Sequence, residues 1–466
     1  MSTALDPALE RFLVDTADAR LADFVELLRF PSVGGMPAHD ADTRACAEWV
    51  AARLRRAGFE TVEVSETPRH PVVYGEWLGA PGAPTVIAYA HYDVQPVEPL
   101  ELWVRPPFEP RFEDRRVYAR GAGDDKAQVH MHIAAAEALL RTAGRLPLNL
   151  KFVFEGEEES GSEHLDGWLE AHRARLGADV AVISDGAFFE GNIPAVGYAL
   201  RGLTYVEIRV TGPNLDLHSG GYGGTVENPA HALAGIIASF HDADHRVAVP
   251  GFYNEVETVS DEERATLAQL PFDTEGYRQS VGVPVLVGED GYSPLEQRWI
   301  RPTLDVNGIW GGRTGDGPKT IIPAWAAAKV SCRLVPNQDP MRIFELIRDH
   351  VGAVTPAGVS AEVRLINVGR PAVTPIDHPA TAEAFAALEE SFERPPVFIR
   401  EGGTVPVAAS FQTILGLPIV LFGFARPDGQ AHAPNEWMDL DNYEGGIRAI
   451  VRYWQRLAAR GDDLRV

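Results

Sequence analysis

The 466-residue chain is poor in cysteine, in long apolar runs and in positive charge. Its 2 cysteines, Cys46 and Cys332, are too few to cross-link a chain of this length, which predicts reduced thiols in a cytoplasmic protein. No apolar run reaches the roughly 18 residues of a membrane span, and no signal-peptide pattern is visible. Lysine and arginine total 42 against 66 acidic residues, a net charge of −24 that disfavours nucleic acid and membrane surfaces as partners.

What the chain does have is a globular composition, with 45% hydrophobic and 23% charged residues. Helix and strand patterns alternate through residue 198 and return after residue 370, which is typical of an α/β domain with a mainly parallel central sheet flanked by helices. Between them, apolar and polar residues alternate along the strands, as in half-exposed antiparallel sheets. We therefore predict a discontinuous α/β domain over 1–198 and 371–466, interrupted by an α+β domain over 199–370.

Five polar clusters could carry chemistry, and four of them lie at or just beyond the carboxyl end of a predicted strand, where open α/β sheets build their sites. Each has a plainer interpretation when taken alone: a structural histidine, a helix N-cap, a solvated acidic face or a turn. The clusters are His91-Tyr92-Asp93, the run from Arg120 to Lys126, the run from Glu155 to Ser162, Ser184-Asp185-Gly186, and the run from Gln430 to Glu436.

Together the clusters place two imidazoles and several carboxylates at one edge of one sheet, without a thiolate. This donor set suits two divalent cations, with Zn²⁺ favoured and Mn²⁺ or Co²⁺ as alternatives. Because alternate residues of an extended chain point the same way, the Asp93 carboxylate can reach the far nitrogen of a ligating His91. One spare glutamate beside a metal-activated water would serve as general base.

With these residues in view, the chain resembles the M20 family of dinuclear-metal peptidases and deacylases, and within it the carnosine-type and cytosolic non-specific dipeptidases. The motifs H-x-D, R-G-x-x-D-D-K, E-G-x-E-E-x-G-S and a late H-x-x-N-E occur in the family's order. The resemblance implies that 1–198 and 371–466 form the catalytic domain. It also implies that 199–370 is a lid that makes a homodimer contact.

The resemblance also implies roles for individual residues. One metal ion would be held by His91, Asp124 and Asp185, and Asp124 would bridge to a second ion. Asp93 would orient His91, and the peptide bond between Asp124 and Asp125 would be cis. Glu158 would be the general base. The ligands that would complete the second ion are Glu159 and His432.

In the inserted domain, the resemblance assigns His218 to the active site of the partner subunit, where it would stabilise the oxyanion. Thr320 and Arg333 match positions that contact substrate, Arg333 through the terminal carboxylate. Thr404 matches a substrate-contacting loop position where serine is common. Glu157 departs from the family pattern, because an uncharged residue is usual there.

The expected activity is metal-dependent hydrolysis of the amide bond in dipeptides or similar small peptides. The alternative within the enzyme class is an N-acyl amino-acid deacylase on the same metal centre. From another class, a catalytically inactive metal-binding or interaction protein on this scaffold is the remaining alternative.

Overall fold

The computed structural model describes residues 5–392, 394–403 and 405–464. They divide into two compact units. Unit 1 comprises Met1–Tyr198, Thr374–Ile399 and Val405–Val466, and unit 2 comprises Ala199–Val373 and Arg400–Thr404, each as far as its residues are described. Among the described residues, no helix has both the length and the apolar character needed to cross a membrane.

The elements are numbered in chain order. The strands are β1 Thr61–Ser65, β2 Val72–Trp77, β3 Thr85–His91, β4 Arg111–Glu113, β5 Arg116–Tyr118, β6 Asn149–Glu155, β7 Val180–Ile183, β8 Ala195–Leu200, β9 Gly202–Thr211, β10 Leu217–His218, β11 Thr303–Gly311, β12 Ile321–Ile322, β13 Trp325–Leu334, β14 Ser360–Gly369, β15 Ala372–Val373, β16 Val397–Glu401, β17 Ile419–Leu421 and β18 Trp437–Asp439. The helices are α1 Pro7–Asp15, α2 Ala17–Leu28, α3 Asp40–Ala57, α4 Lys126–Ala143, α5 Leu165–His172, α6 Ser219–Tyr222, α7 Pro229–Ala238, α8 Asp261–Ala268, α9 Thr274–Ser280, α10 Pro294–Trp299, α11 Pro340–Val354, α12 Pro379–Phe392, α13 Pro406–Ser410 and α14 Leu440–Arg460.

The central sheet of unit 1 has the strand order β1-β2-β6-β3-β7-β17-β8. Its four middle strands, β6, β3, β7 and β17, are parallel neighbours. The strands on either side pair antiparallel. The predicted α/β class is confirmed, but the sheet is mixed, and parallel pairing is limited to its centre. On one side this follows from chain length, because the short connection from β1 to β2 is too brief for the crossover that parallel neighbours need.

The core of unit 1 lies between this sheet and its helices. Successive residues of a strand face opposite sides of a sheet, and β3 is buried from Val86 to His91, so both of its faces are covered. Leu54, Phe152 and Trp454 are completely buried in this core. Burying one such side chain contributes about 1.5–3 kcal/mol to stability.

Helix α4 begins directly after the Arg120–Asp125 loop and is buried on all sides over its first turns. It ends at Gly144, whose φ of 68° lies in the left-handed region that closes many helices. The helix therefore forms a rigid support under the loop that precedes it.

Unit 2 is built on a four-stranded antiparallel sheet in the order β11-β13-β9-β14. Helices α7 and α11 pack on it, burying Ile208, Leu233, Val330 and Ile347. Residues 241–300, in which glycine, proline and acidic residues are mixed, contain three short helices whose N-caps are Ser260, Asp273 and Ser293. A separate pair of short strands, β10 and β12, includes the candidate substrate residue His218, and Thr320 directly precedes β12.

Candidate metal centre

The polar residues predicted to act together follow the parallel strands of unit 1. His91 is the last residue of β3, and Asp185 lies two residues beyond β7. Glu158 and Glu159 open the short 3-10 turn that follows β6, and His432 lies in the loop after β17. Because parallel strands end at the same edge of a sheet, four neighbouring strands deliver these side chains to one place.

The Asp124 carboxylate lies between two imidazoles. Its Oδ1 is 3.0 Å from His91 Nε2, and its Oδ2 is 2.9 Å from His432 Nε2. His432 Nε2 is also 3.3 Å from Glu159 Oε2. The peptide bond between Asp124 and Asp125 is cis, as the resemblance implied. With one oxygen turned toward each histidine, Asp124 has the arrangement of a carboxylate that bridges two ions.

Two overlapping sets of ligand atoms are close enough to surround cations. One atom each of His91, Asp124 and Glu159 lies within 4.8 Å of the others, and the same holds for His91, Glu158 and Asp185. The sets share His91, and Asp124 links the first of them to His432. The structure therefore brings together every unit 1 residue that the sequence analysis assigned to metal binding.

Asp93 contacts both His91 and the backbone that carries Glu158 and Glu159. Its backbone oxygen lies 3.1 Å and its Oδ1 3.3 Å from His91 Nδ1, the ring nitrogen that faces away from Asp124. The same carboxylate also accepts hydrogen bonds from the backbone amides of Glu158, at 3.2 Å, and Glu159, at 3.1 Å. The first contact is the one expected from the H-x-D spacing, whereas the second was not foreseen from the sequence.

Sequence reasoning missed two further neighbours of the ligands. Gln95 Nε2 donates to Glu159 Oε2 at 2.7 Å, and the backbone amide of His91 donates to Asp125 Oδ2 at 3.1 Å. Gln95 lies two residues after Asp93, so the alternation that linked Asp93 to His91 was an available signal for it. No local pattern shows that Asp125 folds back toward His91.

Burial and mutual repulsion dominate the electrostatics of the cluster. Burial raises the pKa of Asp185 to about 7, with Asp124 and Glu159 adding to the shift. Burial and the nearby Asp185 raise the pKa of Glu158 well above its ordinary value. Hydrogen bonds to Asp124 and Glu159 raise the pKa of His432 to about 10. The raised pKa values of Asp185 and Glu158 show that the cluster holds more carboxylates than its own positive charge neutralises.

The donor set fits divalent cations. Its nitrogen and oxygen ligands, with no thiol among them, suit Zn²⁺, Mn²⁺ or Co²⁺. Burial raises the pKa of the Asp125 carboxyl well above its usual range, and its Oδ1 is buried without a hydrogen-bond partner among the described residues. Asp125 belongs to neither group of possible ligand atoms, so it is a buried acidic neighbour of the cluster and not itself a candidate ligand.

Glu157 is turned away from the ligands. Its Oε1 accepts hydrogen bonds from the backbone amide of His70 at 2.9 Å and from Thr67 Oγ1 at 3.0 Å, while its Oε2 lies 2.7 Å from His164 Nδ1. The departure from the family pattern at this position therefore serves local packing. It does not add a carboxylate to the cluster.

The candidate substrate residues His218 and Thr320 lie in unit 2. Both side chains are exposed, and Thr320 precedes β12, the short strand that pairs with β10. His218 Nδ1 accepts from the backbone amide of Gly220 at 3.0 Å, and the Thr320 carbonyl accepts from Ser219 at 3.1 Å. Local hydrogen bonds thus fix the backbone around both residues.

Arg333 lies in β13 of unit 2, between β9 and β11, opposite Leu203 and Thr303. It is half-buried, and burial lowers its pKa while Asp305 opposes that shift. Thr404, the remaining candidate substrate residue, lies outside the described residues.

Comparison with known proteins agrees with this geometry. The sequence profile of peptidase family M20/M25/M40 matches residues 87–456. The Cys-Gly metallodipeptidase dug1 of Schizosaccharomyces pombe is 33% identical over 411 residues, 87% of this chain and 86% of that protein. The human Beta-Ala-His dipeptidase is 30% identical over 473 residues, 97% of this chain and 93% of that protein.

Among solved structures, the M20 family metallo-carboxypeptidase Sso-CP2 of Sulfolobus solfataricus superposes with a TM-score of 0.86 at 31% identity, covering 94% of this chain and 99% of that one. The family profile spans most of the chain, and relatives at 30% identity or more extend along nearly all of it. This chain belongs to peptidase family M20/M25/M40.

Proposed function

We propose that this chain hydrolyses the amide bond of dipeptides and similar small peptides, using two divalent cations. Family membership supports a metal-dependent peptidase, and two relatives named as dipeptidases support the substrate class. The observation that carries the proposal is the position of Asp124 between the imidazoles of His91 and His432, with further carboxylates around it.

The proposed ligands divide into two sets. His91, Asp124 and Asp185 hold one cation, and Asp124, Glu159 and His432 hold the other. Zn²⁺ is the first choice, with Mn²⁺ or Co²⁺ fitting the same donors. When bound, such cations supply Lewis-acid activation of water and of the substrate carbonyl. Asp93 fixes the ring of His91 and raises its basicity as a ligand.

Glu158 is proposed as the general base. Its neighbours are engaged, Glu157 by His70, Thr67 and His164, and Glu159 by Gln95 and His432. The Glu158 carboxylate makes no hydrogen bond or ion pair with the other described residues, and one of its oxygens lies within 4.8 Å of possible ligand atoms of His91 and Asp185. It is therefore free to take a proton from the attacking water molecule and to return it to the leaving amine.

Unit 2 is proposed as the lid and dimerisation domain, and unit 1 as the catalytic domain. His218 of the partner subunit would donate to the substrate carbonyl oxygen as charge develops there. Arg333 would bind the terminal carboxylate, because a planar guanidinium matches two carboxylate oxygens. Thr320 and Thr404 would contact the substrate. The two free cysteines support a cytoplasmic location.

Metal-depleted protein refilled separately with Zn²⁺, Mn²⁺ and Co²⁺ tests the proposal. Each form is assayed on dipeptides, on tripeptides, and on N-acetyl and N-succinyl amino acids. Turnover of dipeptides that depends on the added metal is the expected result. Preference for acylated amino acids would establish the deacylase alternative, and stepwise loss of the C-terminal residue from tripeptides would establish a carboxypeptidase. No turnover with any metal or substrate would overturn the hydrolase.

A further inference from the structure

Two motif residues of unit 1, Arg120 and Glu436, have no part in the mechanism above, yet both are completely buried. They lie 316 residues apart in the sequence and form an ion pair, with Arg120 Nη1 2.8 Å from Glu436 Oε2. A buried ion pair needs further hydrogen bonds to offset the cost of removing both charges from water. Those hydrogen bonds come from the loop that carries Asp124.

The Glu436 carboxylate accepts from three backbone amides of this loop as well as from Arg120. Its Oε2 receives Gly121 N at 3.0 Å, and its Oε1 receives Gly123 N at 2.8 Å and Asp124 N at 3.0 Å. Two donors therefore reach each oxygen. Hydrogen bonds to a charged acceptor are each about twice as strong as neutral ones.

The backbone of Glu436 joins the same two parts of the chain. Its carbonyl accepts from Ala119 N at 3.1 Å, and β18, which begins at Trp437, pairs with β5. His432 lies four residues before Glu436 in the loop that leads into β18. The segment that carries His432 is thus attached to the loop that carries Asp124.

Resting on the proposed function, we propose that Glu436 is a positioning residue for the two-cation centre. Its carboxylate holds the Arg120–Asp124 loop and the His432 segment in one arrangement. Asp124 consequently presents one oxygen to each imidazole. Glu436 itself touches neither of the proposed cations nor substrate, and it acts through the backbone of Asp124.

These four hydrogen bonds require a carboxylate at position 436, and an amide of the same shape does not suffice. All four groups around Glu436 are donors, so both oxygens must accept. In Glu436→Gln, the amide nitrogen meets either Arg120 and Gly121 N or Gly123 N and Asp124 N, and donors then face donors. Leaving buried donors without an acceptor costs about 1–3 kcal/mol for each group.

The test compares E436Q with E137Q. Glu137 pairs with the buried Arg53 in unit 1, so E137Q makes the same chemical change at an ion pair that lacks contact with the ligand loop. For both variants and the parent, metal affinity is measured by chelator competition, folding by circular dichroism, and kcat and KM on the best dipeptide. E436Q is expected to bind metal about 10–100-fold more weakly and to lose kcat with KM little changed.

Metal affinity and kcat that match those of the parent or of E137Q would overturn the role of Glu436. Should E436Q not fold, E436D keeps the charge on a shorter side chain that reaches fewer of the four donors, and the same comparison applies to it. Metal affinity needs no substrate. A parent protein that binds metal but hydrolyses nothing would therefore refute the proposed function while still deciding the role of Glu436.

Discussion

The candidate residues of the two units are held in different ways. In unit 1 they are buried or half-buried, apart from the exposed His432, and groups far away in sequence hold them, as Asp93 holds Glu158 and Glu159. In unit 2, Arg333 is half-buried in β13, whereas His218 and Thr320 are exposed and their hydrogen bonds stay within the short β10–β12 region. The unit 1 cluster is preorganised by the fold. Substitutions there should change metal content or the chemical step, whereas substitutions in unit 2 should leave metal content intact.

The largest effect is expected from Glu158→Gln. Removing a general base costs about 10²–10⁴-fold in rate, so kcat should fall by that factor while the metal-to-protein ratio stays unchanged. Stopped assays with metal analysis of the same sample measure both. Glu157→Gln is the matched control, because Glu157 is turned away toward His70 and His164. Near-normal turnover of E158Q would remove Glu158 as the base.

The His218→Ala variant tests whether a unit 2 residue contributes to kcat without affecting metal content. Losing one donor to a developing oxyanion costs about 10²–10³-fold in kcat, and metal content should not change. Mixed dimers of H218A and E158Q protomers test whether the histidine acts across the subunit interface, since one site would then contain both intact residues. Absence of recovered activity in proven heterodimers would contradict the assignment to the partner subunit.

Arg333→Met should act on substrate binding. A hydrogen bond to a charged group contributes about 1.5–3 kcal/mol, so KM for dipeptides should rise by about one to two orders of magnitude. A dipeptide amide, which lacks the terminal carboxylate, should discriminate little between R333M and the parent. Equal losses on both substrates would show that Arg333 does not recognise the carboxylate.

The smallest expected effect is on the pH dependence of stability and involves His132 in helix α4 of unit 1. His132 Nε2 lies 2.7 Å from Ser184 Oγ, the residue before Asp185, and burial lowers its pKa from 6.5 to about 3. Between these two pKa values, His132 is protonated in the unfolded chain and neutral in the folded protein. Stability is therefore lost as the pH falls from the unfolded pKa toward the folded pKa. Linkage gives about 2 kcal/mol between pH 7 and pH 5.

His132→Gln removes this titration. Urea denaturation followed by circular dichroism at the two pH values measures it, and the midpoint of the parent should fall further than that of H132Q. Equal shifts in the two proteins would show that His132 does not contribute.

Local patterns were sufficient for some of the regular elements. For example, the sequence alone indicates a helix over about Lys126–Ala143 and strands over Thr61–Ser65 and Val72–Trp77, and the structure has these elements with these bounds. Residues 241–300 give weak sequence signals because their helices are short and carry little apolar periodicity. The antiparallel edges of the sheet depend on pairing between strands, which no single segment encodes.

The polar residues of the cluster could be predicted because most of them directly follow apolar segments that the sequence identifies as strands. Among the four glutamates between residues 155 and 159, residue type alone does not distinguish Glu157 from Glu158; the family resemblance did, and the hydrogen bonds of Glu157 to His70 and His164 now give the physical difference. The ion pair of Arg120 with Glu436 likewise joins segments whose closeness no spacing rule reveals. Spacing thus identifies which residue types gather at the edge of the sheet, and tertiary packing decides which of them point into the cluster.

The wide spread of the proposed ligands along the chain has a practical consequence. From His91 to His432 they bracket the whole of unit 2, so no contiguous fragment confined to unit 1 contains the complete set. A proteolytic cut inside that span leaves the ligands on two pieces that only noncovalent packing keeps together. Cation uptake after protease treatment therefore measures whether the two pieces remain assembled, since separated pieces would each lack part of the ligand set.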